Sequence, residues 1–512
     1  MISIDVLPDD VLLQIFDSYL HEYPYVLSHT WAWRSLIYVC RQWRRVVFGS
    51  PRRLDLRLLC GYETRSRDML DIWPALPLII LGDTYHPARR VDNIVAALKC
   101  TDRVCHIELP FLIASDWEIH LAAMQQPFPE LTRLQLLWED EIDEATVVPD
   151  SFLGGSAPRL EYLELKGIPF PGLPKLLLSA THLVQLHLYD IPHSGYLSPD
   201  AMVAALSTLT SLERLSLEFE SPESCPDLET RRLPPSTRSV LPILKYFGFK
   251  GVFEYLEDLV TEFDAPQLNT LEISFSNDIV FDTPQLIRFI SCTPMSSALE
   301  KAVIILEDYE IRVTFRSRTD ELTVVILCEE FDWQLSSLEQ VCTSILPFLS
   351  TFKDLYFRES QYFSPDWNGD IENSSWLGLL HPFTTVKNLY ISEKIARSMG
   401  PALQEGRATD VLPILENIFL EGLEPSGPVQ EGIGQFVAAR QVSSHPVTIS
   451  RRSEFESESD SEQALEYLKQ ISEYSEQISV CSEHISEYSV QISEYSGQIS
   501  EYSVQILESD LE

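Results

Sequence analysis

A six-residue pattern of apolar and polar positions, close to Leu-x-x-Leu-x-Leu, recurs along most of the chain. Four clear copies begin at Leu131, Leu160, Leu183 and Leu212. Looser copies begin at Leu54, Leu78, Val104, Leu244, Leu268, Leu299, Phe352, Val386 and Leu415. Alternation of apolar and polar residues over so short a stretch predicts a β-strand with one buried face. The pattern therefore predicts a series of short strands, most of them 23 to 34 residues apart.

The segments between these phrases carry helix signals. Ser198 and Pro199 precede an apolar stretch over 201–206, where they suit the N-cap and the first helical position. Pro284 stands in the same place before 285–290. Strands that alternate with helices predict an α/β fold with a parallel sheet.

A single strand–helix unit cannot bury its apolar face, whereas stacked units share one continuous core. The phrase and its spacing resemble leucine-rich repeats, whose period is about 20–29 residues. The resemblance implies an irregular repeat solenoid over 53–425. The chain departs from the repeat pattern in two ways. At the position that usually holds Asn or Cys, it has Glu139, Ile168 and Ile191. Runs of β-branched residues near 311–327 predict an inserted β-hairpin. An ordinary α/β sheet with helical crossovers is the alternative.

The polar strand residues are expected on the concave face of such a solenoid, because strand side chains alternate between two faces. Interleaved aromatic and charged side chains on a broad surface are typical of protein recognition. The predicted target-binding residues are Arg133, Gln135, Tyr162, Glu164, Lys166, Gln185, His187, Tyr189, Arg214 and Glu218. The alternative is a solvated sheet face without a partner.

The first fifty residues predict three helices. The first begins at Leu7 and Pro8, and its apolar positions at helical spacing are Leu12, Ile15, Phe16 and Tyr19. The second is capped by Thr30 and has a stripe made of Trp33, Leu36, Ile37 and Cys40. The third carries Trp43 and ends before Ser50.

The Leu-Pro helix start, followed by Val-Cys-Arg-x-Trp-Arg at 39–44, resembles an F-box over roughly residues 4 to 50. The order LPDDVLLQIF, VCRQWR, SPRRLDLRLLC, DIWPALPLII and SFLGGSAPRL resembles, more narrowly, a large fungal family of F-box-like proteins with repeats, over most of 1–425. The resemblance implies a helical module over 1–52 that docks the Skp-type adaptor of a cullin–RING ubiquitin ligase. The implied adaptor-binding residues are Leu7, Pro8, Leu12, Ile15, Phe16, Leu36, Val39, Cys40 and Trp43. The alternative is a three-helix cap on the domain behind it.

The sequence after the repeats predicts a linker and a tail of low complexity. Alternating serine and acid over 453–462 predicts disorder, which gives a disordered acidic linker over 426–462. Over 463–512 isoleucine recurs every seven residues, at Ile471, Ile478, Ile485, Ile492, Ile499 and Ile506, as in a coiled coil. Intervening serines and Gly497 lower helix propensity. The tail is therefore expected to be a marginal helix or disordered, with self-association as a further outcome.

Charge and composition narrow the function. A formal net charge of −39 opposes nucleic-acid binding, because phosphates are bound chiefly by Lys and Arg. The segment 34–67 has nine arginines against Asp55 and Glu63, an excess that suits an acidic protein partner. No apolar stretch is long enough to span a membrane and no secretory signal is present, so the expected location is the cytoplasm or nucleus.

No motif for chemistry stands out. The nine cysteines are scattered, and the spacing of Cys100, Cys105 and His106 is not a zinc pattern. The sequence contains neither a glycine-rich phosphate-binding loop nor a Gly-x-Ser-x-Gly motif. The sequence thus predicts no cofactor, no metal and no catalysis of its own. Its leading interpretation is a substrate receptor that holds an unknown target protein for a cullin-based ligase. The rivals are a binding scaffold unconnected to ubiquitin and an enzyme without a recognisable motif.

Overall fold

The computed structural model describes residues 7–21, 26–62, 70, 75–82, 91–138, 145–221, 238–275, 283–297, 299–307, 310–328, 331–346, 352–359, 373–405, 411–421 and 431–452. These residues divide into two compact units, Met1–Ile418 with Val429–Thr448 and Phe419–Pro428 with Ile449–Glu512. Of the second unit, only 419–421 and 449–452 are described. The predicted heptad tail over 463–512 lies outside the described residues.

Helices occur throughout the described chain. The α-helices are α1 Asp9–His21, α2 Val26–Val39, α3 Arg41–Gly49, α4 Val91–Leu98, α5 Ala114–Ala123, α6 Leu173–Leu177, α7 Pro199–Leu206, α8 Phe253–Glu262, α9 Pro284–Ser291, α10 Phe331–Ile345, α11 Asn373–Leu380, α12 Glu393–Glu405 and α13 Glu431–Val442. Short 3₁₀ turns cover Phe152–Gly155, His193–Gly195 and Pro294–Ser297.

Strands alternate with these helices after α3. They are β1 Leu58–Gly61, β2 Leu78–Leu81, β3 Val104–Leu112, β4 Arg133–Trp138, β5 Tyr162–Lys166, β6 Gln185–Ile191, β7 Arg214–Phe219, β8 Ser239–Val240, β9 Tyr246–Gly251, β10 Phe263–Asp264, β11 Thr270–Phe275, β12 Lys301–Leu306, β13 Glu310–Arg316, β14 Glu321–Leu327, β15 Asp354–Glu359, β16 Asn388–Ser392, β17 Asn417–Glu421 and β18 Thr448–Arg452.

Each recurring apolar phrase lies on a strand or leads into one. In ten of the thirteen copies the strand begins two residues after the first apolar position, as at Leu131 and β4. The strand leucines Leu134, Leu136 and Leu163 are fully buried, whereas the residues between them are half-exposed. The alternation read from the sequence is therefore the alternation of buried and open faces.

The strands of the first unit form one large, mostly parallel sheet in a mixed α/β arrangement. Its order is β1-β2-β3-β4-β5-β6-β7-β9-β11-β14-β13-β12-β15-β16. Each crossover returns the chain to the same end of the sheet, which parallel pairing requires. Consecutive helices contact one another, as α7 does α8 and α8 does α9, so the helices form a second layer over the leucine face of the strands.

A hairpin interrupts this sequential order. β13 pairs antiparallel with β14 on one side and with β12 on the other. β14 is parallel to β11, and β12 is parallel to β15. Because β13 and β14 are two added strands, β12 runs in the same direction as β11, and parallel pairing continues with β15.

The N-terminal helices differ from the sequence prediction at both ends of α2: Cys40, predicted on its apolar stripe, lies after its last residue, Val39, and is the N-cap of α3. α2 begins at Val26, so Thr30 lies inside the helix and does not cap it. α3 ends at Gly49, directly before Ser50. Pro8 precedes α1, and its carbonyl accepts hydrogen bonds from the amides of Val11 (3.0 Å) and Leu12 (3.1 Å).

The prediction of a disordered linker over 426–462 is wrong for residues 431–452. α13 occupies Glu431–Val442, and its Ile433, Phe436 and Arg440 are buried. The Arg440 guanidinium donates to the carbonyls of Leu412 (2.8 Å) and Pro413 (3.3 Å). Glycine and proline in this region suggested a boundary, but three buried side chains hold the helix in place.

Candidate binding surfaces

The two halves of the N-terminal signature meet in the fold. Gln42 Nε2 donates to the Leu7 carbonyl oxygen at 3.2 Å and lies 3.4 Å from an Asp9 carboxylate oxygen. Arg45 pairs with the same Asp9 carboxylate at 3.4 Å. α3 is thereby joined to the start of α1, so the Leu-Pro start and the Val-Cys-Arg-x-Trp-Arg segment belong to one three-helix module.

The predicted adaptor residues divide by exposure. Leu12, Phe16 and Leu36 are buried and form the module's core. Leu7, Cys40 and Trp43 are partly buried. The exposed members are Pro8, Ile15 and Val39. The core members can therefore act only by shaping the module, whereas the exposed members are open to a partner.

Two further apolar residues, which sequence reasoning did not single out, are exposed on the same helices. Val11, 38% exposed, lies one turn before Ile15, which is 44% exposed, on α1. Tyr38, 71% exposed, precedes Val39, 54% exposed, at the end of α2. Val11 could have been found from its spacing of four residues to Ile15. We call these two exposed pairs, Val11 with Ile15 on α1 and Tyr38 with Val39 on α2, the apolar helix patch.

Another side of the module is attached to the sheet layer. Trp33 is fully buried, and its indole N–H donates to the Arg57 carbonyl oxygen at 3.0 Å, directly before β1. Trp43 instead packs edge-on against Phe16, with ring centroids 4.7 Å apart. Trp33 thus faces the first strand, while Trp43 stays inside the helical module.

The open face of the sheet carries aligned rows of polar side chains. Parallel pairing places the strands in register, so outward positions line up across β3 to β11. The first row contains His106, Arg133, Tyr162, Gln185, Arg214, Tyr246 and Thr270. The second row contains Glu108, Gln135, Glu164, His187, Ser216, Gly248 and Glu272. We call this surface the inner face.

All ten residues predicted for target binding lie on the inner face, and Lys166, Tyr189 and Glu218 extend it beyond the second row. Sequence reasoning missed six neighbours that occupy equivalent positions, namely His106, Glu108, Ser216, Tyr246, Lys250 and Glu272. Counting every second residue along each strand, from the second position after the start of each phrase, would have found them.

Arg133, Tyr162 and Glu164 form a stacked group on β4 and β5. The guanidinium carbon of Arg133 lies 3.5 Å from the centroid of the Tyr162 ring, a cation–π geometry. The Tyr162 hydroxyl donates to the Glu164 carboxylate. Burial, followed by the hydrogen bond to Glu164, raises the pKa of Tyr162 above its usual value. The tyrosine therefore remains a neutral donor, and its ring a fixed support for the arginine.

A second group of the same composition lies farther along the sheet. Arg214 lies 4.3 Å from the Tyr246 ring centroid, and the Tyr246 hydroxyl donates to Glu272 at 3.0 Å. Burial and the neighbouring Glu272 charge raise the pKa of Tyr246. Gly248 makes room for this ring, because a Cβ there would lie 2.9 Å from the Tyr246 hydroxyl oxygen.

His187 lies between the two arginine groups. Its Nδ1 is 3.0 Å from Ser216 Oγ and 3.2 Å from the Tyr189 hydroxyl oxygen. The Tyr189 ring stacks on the imidazole, with ring centroids 5.7 Å apart. Burial, followed by the charges of Arg214 and Arg133, lowers the pKa of His187 to about 4. The imidazole is therefore neutral at physiological pH. Its Nε2 lies 3.4 Å from the Gln185 side-chain oxygen, which can only accept, so Nε2 carries the proton and Nδ1 is the acceptor.

Burial raises the pKa of two carboxylates on the inner face, Glu164 and Glu218. Burial raises the pKa of Glu164, opposed by the Tyr162 hydrogen bond and by Arg133. Burial likewise raises the pKa of Glu218, opposed mainly by Lys250. A cation or hydrogen-bond donor from a partner would favour the ionised form of both groups.

The far end of the sheet carries a different pattern. Tyr356 and Tyr390 stack with centroids 4.1 Å apart and an interplanar angle of 7°. Asn388 donates to Asp354 at 2.6 Å, and Asn417 donates to Asn388 at 2.8 Å. This amide ladder satisfies its own donors and acceptors, so it stabilises strand pairing more than it offers contacts to a partner.

One serine–histidine pair on the inner face is closed to solvent. Ser216 Oγ is within hydrogen-bond distance of His187, but Ser216 is only 2% exposed, so a substrate could not reach it. Within the described ranges, no group of three His, Cys, Asp or Glu residues is placed to hold a metal ion. Across the helices that the structure describes, none has the length and apolarity to cross a membrane.

Sequence comparisons find no relative: no protein-family model matches the chain, and no curated protein does. Six solved chains are similar in structure. One is the leucine-rich repeat-containing protein LegL7 from Legionella pneumophila, with a TM-score of 0.28, 13% sequence identity, and coverage of 67% of this chain and 98% of that one. At this TM-score the similarity does not bear on function.

Proposed function

We propose that the chain is a protein-binding receptor with two surfaces, a helical module that docks one partner and a leucine-rich-repeat-like sheet that holds another. The observation that carries this proposal is the apolar helix patch, which stays exposed although Trp33 anchors the module to the sheet layer. Exposed apolar side chains of this size are typical of docking surfaces when several occur together.

The F-box resemblance makes the proposal more specific. In it, the helical module binds a Skp-type adaptor, the adaptor joins the chain to a cullin, and the inner face presents a target protein. The chain would then act in the cytoplasm or nucleus as the substrate-recognition subunit of a cullin–RING ubiquitin ligase. It would contribute no catalytic group, only a raised effective concentration of a target lysine near the loaded conjugating enzyme.

Ile15 offers a direct test of adaptor docking. We expect Ile15→Asp to weaken binding to a purified Skp-type adaptor at least tenfold, because it places a charge in the apolar helix patch. Isothermal titration calorimetry with the full chain measures this. Ile119→Asp is the matched control, since Ile119 is 48% exposed on α5, away from the module. Unaltered adaptor binding by Ile15→Asp would argue against the patch.

The rival function is a ubiquitin-independent scaffold in which the three helices cap the sheet. The buried Trp33 and its hydrogen bond to Arg57 favour this role. Co-purification from cells separates the two, because a ligase subunit brings down both adaptor and cullin. If the wild-type chain captures neither, the ligase proposal is wrong and the cap remains.

A further inference from the structure

Arg133 and Arg214 occupy equivalent positions in the first row of the inner face. They are joined by register pairs through Tyr162 and Gln185, which places them three strands apart. Neighbouring strands lie about 4.8 Å apart, so their backbones are separated by about 14 Å. Both side chains extend from the same face, because register-paired residues of a parallel sheet point the same way.

Each guanidinium carbon lies over a tyrosine ring, 3.5 Å from the centroid for Arg133 and 4.3 Å for Arg214. Hydrogen bonds to Glu164 and Glu272 fix the two tyrosines. Over the part of the chain that the structure describes, neither arginine has a carboxylate within ion-pair distance. Lys166, by contrast, pairs with Asp190 at 3.8 Å.

An arginine prepared in this way suits a carboxylate. The planar guanidinium presents several N–H donors in a fork that matches two carboxylate oxygens. Stacking restricts the side chain before binding, so less conformational entropy is lost when the ion pair forms. Among the described residues, the one other polar contact of the Arg133 side chain is to the Gln135 side-chain oxygen, at 3.5 Å.

We propose that the inner face binds an extended acidic segment of a target protein, with one carboxylate on Arg133 and a second, four residues later, on Arg214. An extended chain advances about 3.3 Å per residue, so four residues span about 13 Å. Four is an even number, so both acidic side chains leave the same face of the segment. This inference rests on the proposed role of the inner face in target binding.

The surrounding charges keep the segment on the first row. Glu164 and Glu272 lie in the second row, two residues along the strand from the first. An acidic side chain displaced sideways toward that row would meet like charges, which disfavours the displaced position. Gln185 lies between the two arginines and offers a neutral amide to the residue in the middle of the segment.

Fluorescence anisotropy with labelled peptides and the full chain tests this site. The lead peptide has Glu-Thr-Val-Thr-Glu as its centre. One comparison peptide places the two Glu residues three apart, one replaces both by Gln, and one replaces both by phosphoserine. We expect the lead peptide to bind at least tenfold more tightly than the first two. Binding by the phosphoserine peptide alone would overturn the carboxylate assignment.

Variants of the chain give the second arm of the test. Arg133→Leu and Arg214→Leu should each weaken the lead peptide at least fivefold, and Arg133→Lys should weaken it as well because the fork is lost. Arg358→Leu is the matched control, since Arg358 also stacks on a tyrosine, Tyr356, at 5.3 Å on a distant strand. The inference would be overturned if the wild-type chain did not bind the lead peptide. It would also be overturned if a chain carrying both Arg133→Leu and Arg214→Leu bound this peptide as tightly as the wild type. Adaptor binding, measured separately, would still stand.

Discussion

At the residue scale, burial and neighbouring charge decide what each polar group of the inner face can do. His187 is a neutral acceptor because it is 7% exposed and lies near two arginines. Tyr162 and Tyr246 are donors whose pKa values are raised by burial and adjacent carboxylates. The charges that act on His187 and Tyr246 lie on other strands, at least 26 residues away in sequence, whereas Glu164 lies on the same strand as Tyr162.

The buried His187 should make the stability of the fold depend on pH. Its pKa of about 4 in the folded chain lies below the usual 6.5, so the unfolded state binds a proton more readily as the pH falls. The stability contributed by neutral His187 is present above pH 6.5 and is lost as the pH falls toward 4. We expect His187→Gln to reduce this loss. Urea unfolding at several pH values measures it, and equal pH dependence in both proteins would contradict the assignment.

Ser216→Ala is a suitable companion for that measurement. It removes one hydrogen bond to His187 and leaves the arginines in place, so the imidazole remains surrounded by the same charges. The pH dependence of stability should persist in this variant.

At the element scale, a side chain of α8 accepts hydrogen bonds from the first turn of α9. The Glu257 carboxylate of α8 accepts from the amides of Gln285 at 3.1 Å and Leu286 at 2.7 Å, in the first turn of α9. Glu257 is 9% exposed, so these amides have little access to water. The acceptor comes from the preceding helix, although Thr283 and Pro284 alone suggested the helix start.

Replacing Glu257 tests the importance of this contact. Glu257→Ala leaves two amides without their acceptor, and we expect it to lower the free energy of unfolding by about 1–3 kcal/mol. Chemical denaturation monitored by circular dichroism measures the change. Glu254→Gln, on the same helix, should alter stability by less than about 0.5 kcal/mol. A loss equal in both variants would indicate a general effect of charge on α8.

Features that depend on local sequence spacing could be predicted, whereas features that depend on contacts between distant residues could not. The phrases located the strands because a buried leucine and an open polar residue must alternate along any half-buried strand. The start of α2 at Val26 was missed, since Thr30 is a good cap by type but lies within the helix. The inner-face residues could be predicted by alternation, whereas the pairing of Arg133 with Tyr162 required the register between strands.

At the scale of the whole molecule, each repeat contacts mainly its neighbours, so stability is expected to be local. Arg440 illustrates this at the last helix, where its guanidinium donates to carbonyls of the preceding loop, including Leu412 and Pro413. The side chain is fully buried, and burial lowers its pKa. Arg440 thus adds hydrogen bonds to the apolar packing that joins α13 to the repeat before it.

We expect Arg440→Met to cost about 1–3 kcal/mol locally, because it leaves buried carbonyl groups without donors. Hydrogen exchange should accelerate in α13 and remain unchanged in α7, many repeats away. Arg159→Met is the control, since the Arg159–Glu130 pair is largely exposed and contributes little. Faster exchange in both helices would show instead that the sheet unfolds as one cooperative unit.

The sequence by itself determined the alternation of strand and helix, the strand positions, the N-terminal helical module and the face on which the polar strand residues lie. These features depend on the spacing of apolar and polar residues within short segments, which can be read directly from the sequence. Tertiary structure alone decided that β13 and β14 separate β11 from β12, that Trp33 faces the sheet, and that α13 is ordered. It also decided that Arg133 and Arg214 rest on tyrosines from other strands. Such contacts join residues far apart in sequence, and only packing brings them together.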